Sequence, residues 1–106
     1  TLRGSMGIGH ARYPTAGGSS SAEAQPLYTN FPYGLCISHN GNLTNASALT
    51  HSVEGMCRHV NTSSDSELLL NIFSEALAKV RSSGTDELDA DAIFYACSVV
   101  FKKCIG

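Results

Sequence analysis

The chain has 106 residues, of which 42% are hydrophobic and 15% are charged, and its formal net charge is −2. This composition is typical of a folded globular domain and unlike that of a disordered chain. The small negative charge gives no attraction to nucleic acid or to anionic membranes, and no apolar run approaches the ~20 residues of a membrane span. We therefore expect one small domain, or part of a larger one, with neither kind of partner.

The termini and the cysteines indicate the origin of the chain. It begins at Thr1 without an initiator methionine or an apolar targeting core, and it stops directly after a helical pattern. We therefore expect an internal fragment of a longer, cytoplasmic protein. Four cysteines are too few for a disulfide scaffold, and we predict free, mostly buried thiols at Cys36, Cys57, Cys97 and Cys104.

Strands are predicted first along the chain. Alternating apolar and small residues predict a strand over 6–12, and a Gly/Ser-rich loop follows over 14–21. Leu27–Thr29 and 35–38 are further strand candidates, and the turn residues at 30–34 separate them.

Two helices are predicted next. Asn45 or Thr44 is placed to cap the first, whose apolar residues run to Met56. Ser64 and Glu67 have the spacing of a capping box and open the second. Apolar residues recur along the second helix at helical spacing, namely Leu68, Leu69, Ile72, Phe73, Ala76, Leu77 and Val80.

A third helix is predicted near the end of the chain. It starts near Asp89 and ends with Lys102 and Lys103, so it has the acidic first turn and basic last turn that the helix dipole favours. Its apolar residues are Ile93, Phe94, Cys97, Val100 and Phe101. Strands that precede a run of helices predict an α+β fold.

Asn40 and Gly41 follow the predicted strand at 35–38. A side-chain amide beside a glycine N–H provides two donors that can converge on one oxygen, as an oxyanion hole requires. The same dipeptide is also the commonest hairpin turn, and these two residues alone favour that alternative.

Arg12 and Asp65 are two further candidates. An arginine that leaves a strand into a Gly/Ser-rich loop can hold a carboxylate with two hydrogen bonds, although a structural ion pair is the alternative. Asp65 at a helix start can pair with a substrate ammonium, or it can be an acid that only the helix dipole favours.

Metal and nucleotide-phosphate sites are not predicted. The spacing of the nearest candidate ligands fits no standard zinc finger, these ligands being Cys36, His39, Cys57 and His59. The glycine-rich phosphate loop with its lysine is absent from the sequence.

Four segments together carry a family resemblance. They read Gly9-His10-Ala11-Arg12-Tyr13-Pro14-Thr15-Ala16-Gly17, Glu23-Ala24-Gln25-Pro26, His39-Asn40-Gly41-Asn42-Leu43-Thr44-Asn45 and Ser64-Asp65-Ser66-Glu67. In their order and residue sequence they closely resemble the amidophosphoribosyltransferase family, the glutamine-dependent enzymes that catalyse the first step of purine synthesis. The resemblance covers most of the chain.

The resemblance implies a fold and a set of roles. The fold is the four-layer α-β-β-α sandwich of N-terminal-nucleophile hydrolases, of which this chain would form a part. Arg12, with help near Thr15, would hold the α-carboxylate of glutamine, and Asp65 would pair with its α-ammonium. Asn40 and Gly41 would form the oxyanion hole.

The family's nucleophile is an N-terminal cysteine whose own α-amino group serves as base. None of the four cysteines here is N-terminal, and Thr1 stands too close to the segment that carries Arg12 to replace it. We therefore expect residues 1–106 to be a fragment of the glutaminase domain that is inactive alone.

In the family, ammonia passes to a second domain that holds phosphoribosyl pyrophosphate and Mg²⁺, and phosphoribosylamine is formed. These residues contain no such domain, so the resemblance implies no cofactor in the chain itself, and it implies a homo-oligomeric parent enzyme. Two alternatives stay open: the glutaminase domain of another amidotransferase, and a non-catalytic glutamine-binding module.

Overall fold

The computed structural model describes residues 3–11, 21–55, 58–82 and 88–106. The described residues form a 3-10 turn at Ser21–Glu23, two strands and three α-helices. The strands are β1 (Leu27–Thr29) and β2 (Leu35–Ile37), and the helices are α1 (Ala46–Glu54), α2 (Asp65–Ser82) and α3 (Ala90–Lys103). The α+β class and the order of strands before helices are confirmed. None of these helices is long and apolar enough to cross a membrane.

β1 and β2 form an antiparallel hairpin. Their register pairs Leu27 with Ile37, Tyr28 with Cys36 and Thr29 with Leu35. Alternate residues of β1 are half-buried while Tyr28 between them is exposed, as the period of two along a strand requires. The hairpin therefore has one face on the helices and one face open.

α2 holds the turn that joins the two strands. The Arg81 guanidinium donates to the carbonyl of Pro32 at 2.8 Å and lies 5.4 Å above the centre of the Tyr33 ring. The Ser74 hydroxyl donates to the carbonyl of Phe31. These contacts fix the hairpin on the side of α2, and they leave the end of β2 near the start of that helix.

Residues 6–11 are not a strand, so the prediction of a strand over 6–12 is wrong for the part that is described. A strand needs a partner for its backbone N–H and C=O groups, and none of the described residues pairs with this segment. Met6 remains 93% exposed. Alternation of residue types therefore does not by itself produce a strand here.

The core is built on α2. Towards its first half, Leu68 and Ile72 pack against Leu49 and Val53 of α1. Towards its second half, two alanines of α3 pack against it, and the buried residues of this second cluster are Ala76, Leu77, Ala92 and Ala96. Burying a leucine or isoleucine side chain contributes roughly 1.5–3 kcal/mol, so these clusters are the main stabilising contacts. The apolar positions predicted along α2 are confirmed as its packing face.

α3 begins as predicted. The Asp89 side chain accepts a hydrogen bond from the N–H of Ala92 at 2.8 Å and so caps the helix, and the last turn carries Lys102 and Lys103. Not all of the apolar residues predicted along α3 are buried, because Phe94 and Phe101 are exposed. Ala92 and Ala96 instead pack against α2.

The start of α2 differs from the predicted capping box. Ser64 precedes the helix, but its hydroxyl accepts from the N–H of Ser66 at 3.3 Å. The Glu67 carboxylate turns back to the preceding loop instead of to Ser64. It accepts hydrogen bonds from the backbone N–H groups and the side chains of Asn61 and Thr62, at 2.7–3.1 Å. Glu67 therefore fastens the loop before α2.

The cysteines are free, as predicted, at the three described positions, Cys36, Cys97 and Cys104. They are not mostly buried, because Cys36 is exposed and the other two are half-buried. Burial raises the pKa of the Cys104 thiol, and the neighbouring charge of Lys103 partly offsets this effect. Cys57 and Met56 lie outside the described residues.

The carboxylate of Glu67 gives the first test. Its side chain accepts four hydrogen bonds and the residue is only 8% exposed. We expect Glu67→Ala to lower the free energy of unfolding by about 3 kcal/mol, because hydrogen bonds to charged groups contribute ~1.5–3 kcal/mol each. Chemical denaturation measures the difference. Glu54→Ala removes an exposed acid of α1 as a control and should change stability by no more than about 0.5 kcal/mol. Equal effects of the two substitutions would contradict this role of Glu67.

Candidate functional site

A cavity of about 690 Å³ lies between the end of β2 and the start of α2. Its walls come mainly from three parts of the chain, residues 10–11, 39–43 and 63–66. Glu23, Gln25 and Ala46 complete the lining. Most of these side chains are polar, so the cavity suits a small hydrophilic molecule.

The loop after β2 forms one wall. Asn40 and Gly41 are both exposed and both line the cavity. The next element after them is helix α1, and β2 pairs with the strand that precedes it, so Asn40 and Gly41 are not the turn of a hairpin. The structure therefore removes the alternative that these two residues alone had favoured.

Gly41 lies directly against the His39 imidazole. A Cβ atom at position 41 would be 2.6 Å from His39 Nε2 and 3.3 Å from Cε1. Any side chain at this position would push the ring or the loop aside. Glycine therefore lets the loop fold tightly over its own histidine.

Asp65, the first residue of α2, forms the opposite wall. Its Oδ2 accepts a hydrogen bond from the N–H of Leu43 at 2.8 Å, and its Oδ1 lies 3.7 Å from His39 Nδ1. The side chain remains 20% exposed at the cavity. A negative charge at a helix N-terminus is favoured by the helix dipole. Asp65 thus fixes the loop and also presents a carboxylate to the cavity.

Gln25 and Ser66 connect the two walls. The His39 N–H donates to Gln25 Oε1 at 2.7 Å, and Gln25 Nε2 donates to Ser66 Oγ at 3.0 Å. Ser66 is only 1% exposed. We predicted no role for either residue from the sequence. The available signal was their presence in the segments 23–26 and 64–67, which carry the family resemblance.

Ser66, His39 and Asp65 resemble a hydrolytic triad in composition but not in geometry. Ser66 Oγ is 3.4 Å from His39 Nδ1, and the Asp65 carboxylate is nearest to the same nitrogen. In a serine–histidine–aspartate triad the hydroxyl and the carboxylate bind opposite ring nitrogens. The carboxylate orients the ring, while the hydroxyl gives its proton to it. This arrangement therefore does not activate Ser66 as a nucleophile.

His10 also lines the cavity, and its sequence context had suggested no role for it. Its Nδ1 is out of contact with water and has no hydrogen-bond partner among the described residues, and the same holds for the Ser38 hydroxyl. Groups of this kind are uncommon in folded proteins. The described part of the chain has no group of three His, Cys, Asp or Glu side chains that could hold a metal ion.

The end of the chain is fastened to the segment that follows the loop. Asn45 donates from Nδ2 to the carbonyl of Lys103 at 2.7 Å and accepts at Oδ1 from the N–H of Ile105 at 3.0 Å. The Thr44 N–H and hydroxyl both donate to the carbonyl of Ile105. The Asn45 side chain makes no hydrogen bond that caps α1, and Thr44 does not directly precede the helix. Asn45 is at the N-cap position, as predicted, but its side chain does not cap the helix because it bonds to this distant segment.

The structure brings three of the predicted site residues together. Asn40, Gly41 and Asp65 line the same cavity. Arg12 and Thr15 lie outside the described residues, so their assignment stays a prediction.

Comparison with known proteins identifies the family. Residues 10–89 match the family described as the glutamine amidotransferase domain, and this span includes the whole cavity wall. The chain belongs to the glutamine amidotransferase domain family. Its candidate oxyanion loop and Asp65 both lie within the matched residues.

Several curated relatives carry one name. The chain is similar to the amidophosphoribosyltransferase of Pseudomonas aeruginosa, with 56% identity over 99% of the chain and 21% of that protein. It is 57% identical to that of Escherichia coli strain K12 and 50% identical to that of Saccharomyces cerevisiae, in each case over 99% of the chain and 20% of the relative. The resemblance seen in the four segments is confirmed. The chain spans about a fifth of the length of these relatives.

The contact between Asn45 and the end of α3 gives a second test. We expect Asn45→Ala to lower the free energy of unfolding by about 1–2 kcal/mol, because it removes two side-chain hydrogen bonds to backbone groups. Chemical denaturation measures this change. Ser47→Ala, at an exposed position of helix α1, is the matched control and should stay within about 0.5 kcal/mol of the unsubstituted protein. An Asn45→Ala protein as stable as the control would show that this contact is not stabilising.

Proposed function

We propose that the cavity binds L-glutamine and that the protein containing this chain uses the side-chain amide of glutamine as a source of ammonia. One observation carries the proposal. Asn40, Gly41 and Asp65 line a single polar cavity in a chain of the glutamine amidotransferase domain family. Their chemistry provides hydrogen-bond donors for one end of the substrate and a negative charge for the other.

Asn40 and Gly41 are proposed to form the oxyanion hole. When a nucleophile adds to the amide carbon of glutamine, the carbonyl oxygen becomes an oxyanion, and ammonia leaves as the carbonyl is restored. The Asn40 side-chain amide and the Gly41 N–H would donate to that oxygen. Donors that are held in place before the reaction stabilise the charge as it develops, and loss of one costs ~3–4 kcal/mol in known cases.

Asp65 is proposed to pair with the α-ammonium of glutamine. Its Oδ2 is held by the Leu43 N–H, and Oδ1 is the oxygen proposed to accept from the substrate. Arg12, with help near Thr15, is proposed to hold the α-carboxylate. Together these groups would recognise the amino acid end of glutamine and leave its amide at the oxyanion hole.

The nucleophile is proposed to be an N-terminal cysteine outside this chain. Cys36, Cys97 and Cys104 do not line the cavity among the described residues, and the geometry of Ser66 does not activate it. We propose that the chain is a segment of a glutaminase domain, that the whole domain is a four-layer sandwich, and that the segment does not hydrolyse glutamine alone.

The whole protein is proposed to transfer ammonia to phosphoribosyl pyrophosphate in the first step of purine synthesis, giving phosphoribosylamine. The support is the identity of 50–57% to relatives named amidophosphoribosyltransferase. Mg²⁺ is proposed to act in a second, phosphoribosyltransferase domain, as the resemblance to the amidophosphoribosyltransferase family implies. A homo-oligomeric, cytoplasmic enzyme is part of the same proposal.

Asp65→Asn tests the binding of the substrate ammonium. The amide oxygen of Asn can still accept from the Leu43 N–H, so the loop should remain in place while the charge is lost. We expect the KM for glutamine in the full-length protein to rise at least about tenfold, with a smaller change in kcat, because a charge-assisted hydrogen bond contributes ~1.5–3 kcal/mol. Asp91→Asn, an exposed acid in the first turn of α3, is the matched control. An unchanged KM in Asp65→Asn would rule out this role.

Gly41→Ala tests the oxyanion hole. The added Cβ would meet the His39 ring at 2.6 Å, so the loop must shift. We expect kcat for glutamine hydrolysis in the full-length protein to fall about 100-fold, near the lower end of the loss caused by removing one oxyanion donor, with little change in KM. A Cβ at Gly7 meets nothing within 4 Å, so Gly7→Ala is the control that should keep its activity. The proposal fails here if both alanine variants have the same kcat.

A further inference from the structure

The segment 23–26 carries part of the family resemblance, but the proposed function gives it no role. Gln25 in this segment lines the cavity without being needed for any of the proposed substrate contacts. Its side-chain amide uses both of its ends on protein groups. The oxygen accepts from the His39 N–H, 14 residues away, and the nitrogen donates to the Ser66 hydroxyl, 41 residues away.

With these two bonds, the oxyanion loop is attached to α2 at both of its ends. At one end of the loop, the Leu43 N–H is bound directly by Asp65 at 2.8 Å. At the other end, the His39 N–H is bound at 2.7 Å by Gln25, which is itself bound to Ser66. The residues between them are Asn40, Gly41 and Asn42. Both ends of the loop are thus anchored to consecutive residues of the first turn of α2.

An amide side chain satisfies both partners at this position. One end accepts a hydrogen bond from a backbone N–H, while the other donates to a hydroxyl, and Gln provides one acceptor and two donors. Ser66 is 1% exposed, so its oxygen depends on protein partners rather than on water. The nearest other group, His39 Nδ1, lies at the longer distance of 3.4 Å.

We propose that Gln25 is a positioning residue that fixes the distance between the oxyanion donors and the carboxylate of Asp65. This inference rests on the proposed function, since the two groups act on opposite ends of glutamine. Gln25 itself does not touch the reacting atoms. It makes the oxyanion loop and the start of α2 one unit, so that a glutamine held by Asp65 presents its carbonyl oxygen to Asn40 and Gly41.

The test uses Gln25→Met in the full-length protein, because methionine keeps the length of glutamine and removes both hydrogen bonds. We expect kcat for glutamine hydrolysis to fall about tenfold with KM changed less than about threefold, since an oxyanion donor is displaced rather than lost. Gln25→Glu retains an acceptor for the His39 N–H, and its second oxygen can accept from the Ser66 hydroxyl, so it should recover kcat to within about threefold of the unsubstituted protein. This rescue separates positioning from a general effect on folding.

A second measurement does not depend on turnover. The exchange rate of the His39 amide hydrogen should rise about fivefold in Gln25→Met, as expected for loss of one hydrogen bond, and should stay near the original rate in Gln25→Glu. Asn71→Leu is the matched control. It removes a side-chain amide of α2 that bonds to the Glu67 carbonyl and to Arg58 outside the cavity. Neither kcat nor the exchange of His39 should change in this control.

The outcomes separate the inference from the proposed function. An active protein in which Gln25→Met leaves kcat, KM and His39 exchange unchanged overturns the inference and leaves the proposed function standing. A fall in kcat that Gln25→Glu does not restore, or that Asn71→Leu reproduces, also overturns it. A full-length protein that does not hydrolyse glutamine at all overturns the proposed function, and with it the role of Gln25 in that reaction.

Discussion

The hydrogen bond from the Leu43 N–H to the Asp65 carboxylate is the interaction on which the rest of the site depends. It closes the loop after β2 onto the first turn of α2 and thereby forms the cavity. The same carboxylate keeps its second oxygen 3.7 Å from the His39 ring. A charged acceptor at a helix N-terminus makes a strong bond to a backbone N–H and is favoured by the helix dipole. One side chain therefore shapes the site and also contributes a negative charge to it.

The packing of α2 explains why this attachment can hold a site in place. The helix is buried along its length against α1 and α3, and it also carries the turn of the β1–β2 hairpin. The loop leaves the hairpin and returns to the start of the same helix. Gly106 lies close against this loop, because a Cβ there would collide with the backbone of Asn42. The loop at 39–43 and Asp65 are thus attached to one helix, as the proposed oxyanion hole would require.

The elements that depend on local interactions were predictable from the sequence. Periodic apolar residues and the Asp89 cap were sufficient to predict α2 and α3, and the motifs pointed to Asn40, Gly41 and Asp65, which line one cavity. The absence of a strand at 6–11 could not be predicted from alternation, because a strand also needs a partner elsewhere in the chain. Glu67 and Asn45 looked like local caps but bond to the loop at 61–62 and to the segment at 103–105. Gln25 was missed because its partners lie 14 and 41 residues away.

Recognition of L-glutamine by this cavity can be tested through the backbone amide signals in nuclear magnetic resonance. We predict that L-glutamine added to the isotopically labelled chain shifts the amide signals of Asn40, Gly41 and Leu43 in a saturable way. D-glutamine, which places its ammonium and carboxylate differently, should leave them unchanged. The absence of saturable shifts at these three amides, or equal shifts with both enantiomers, would show that the cavity does not recognise L-glutamine.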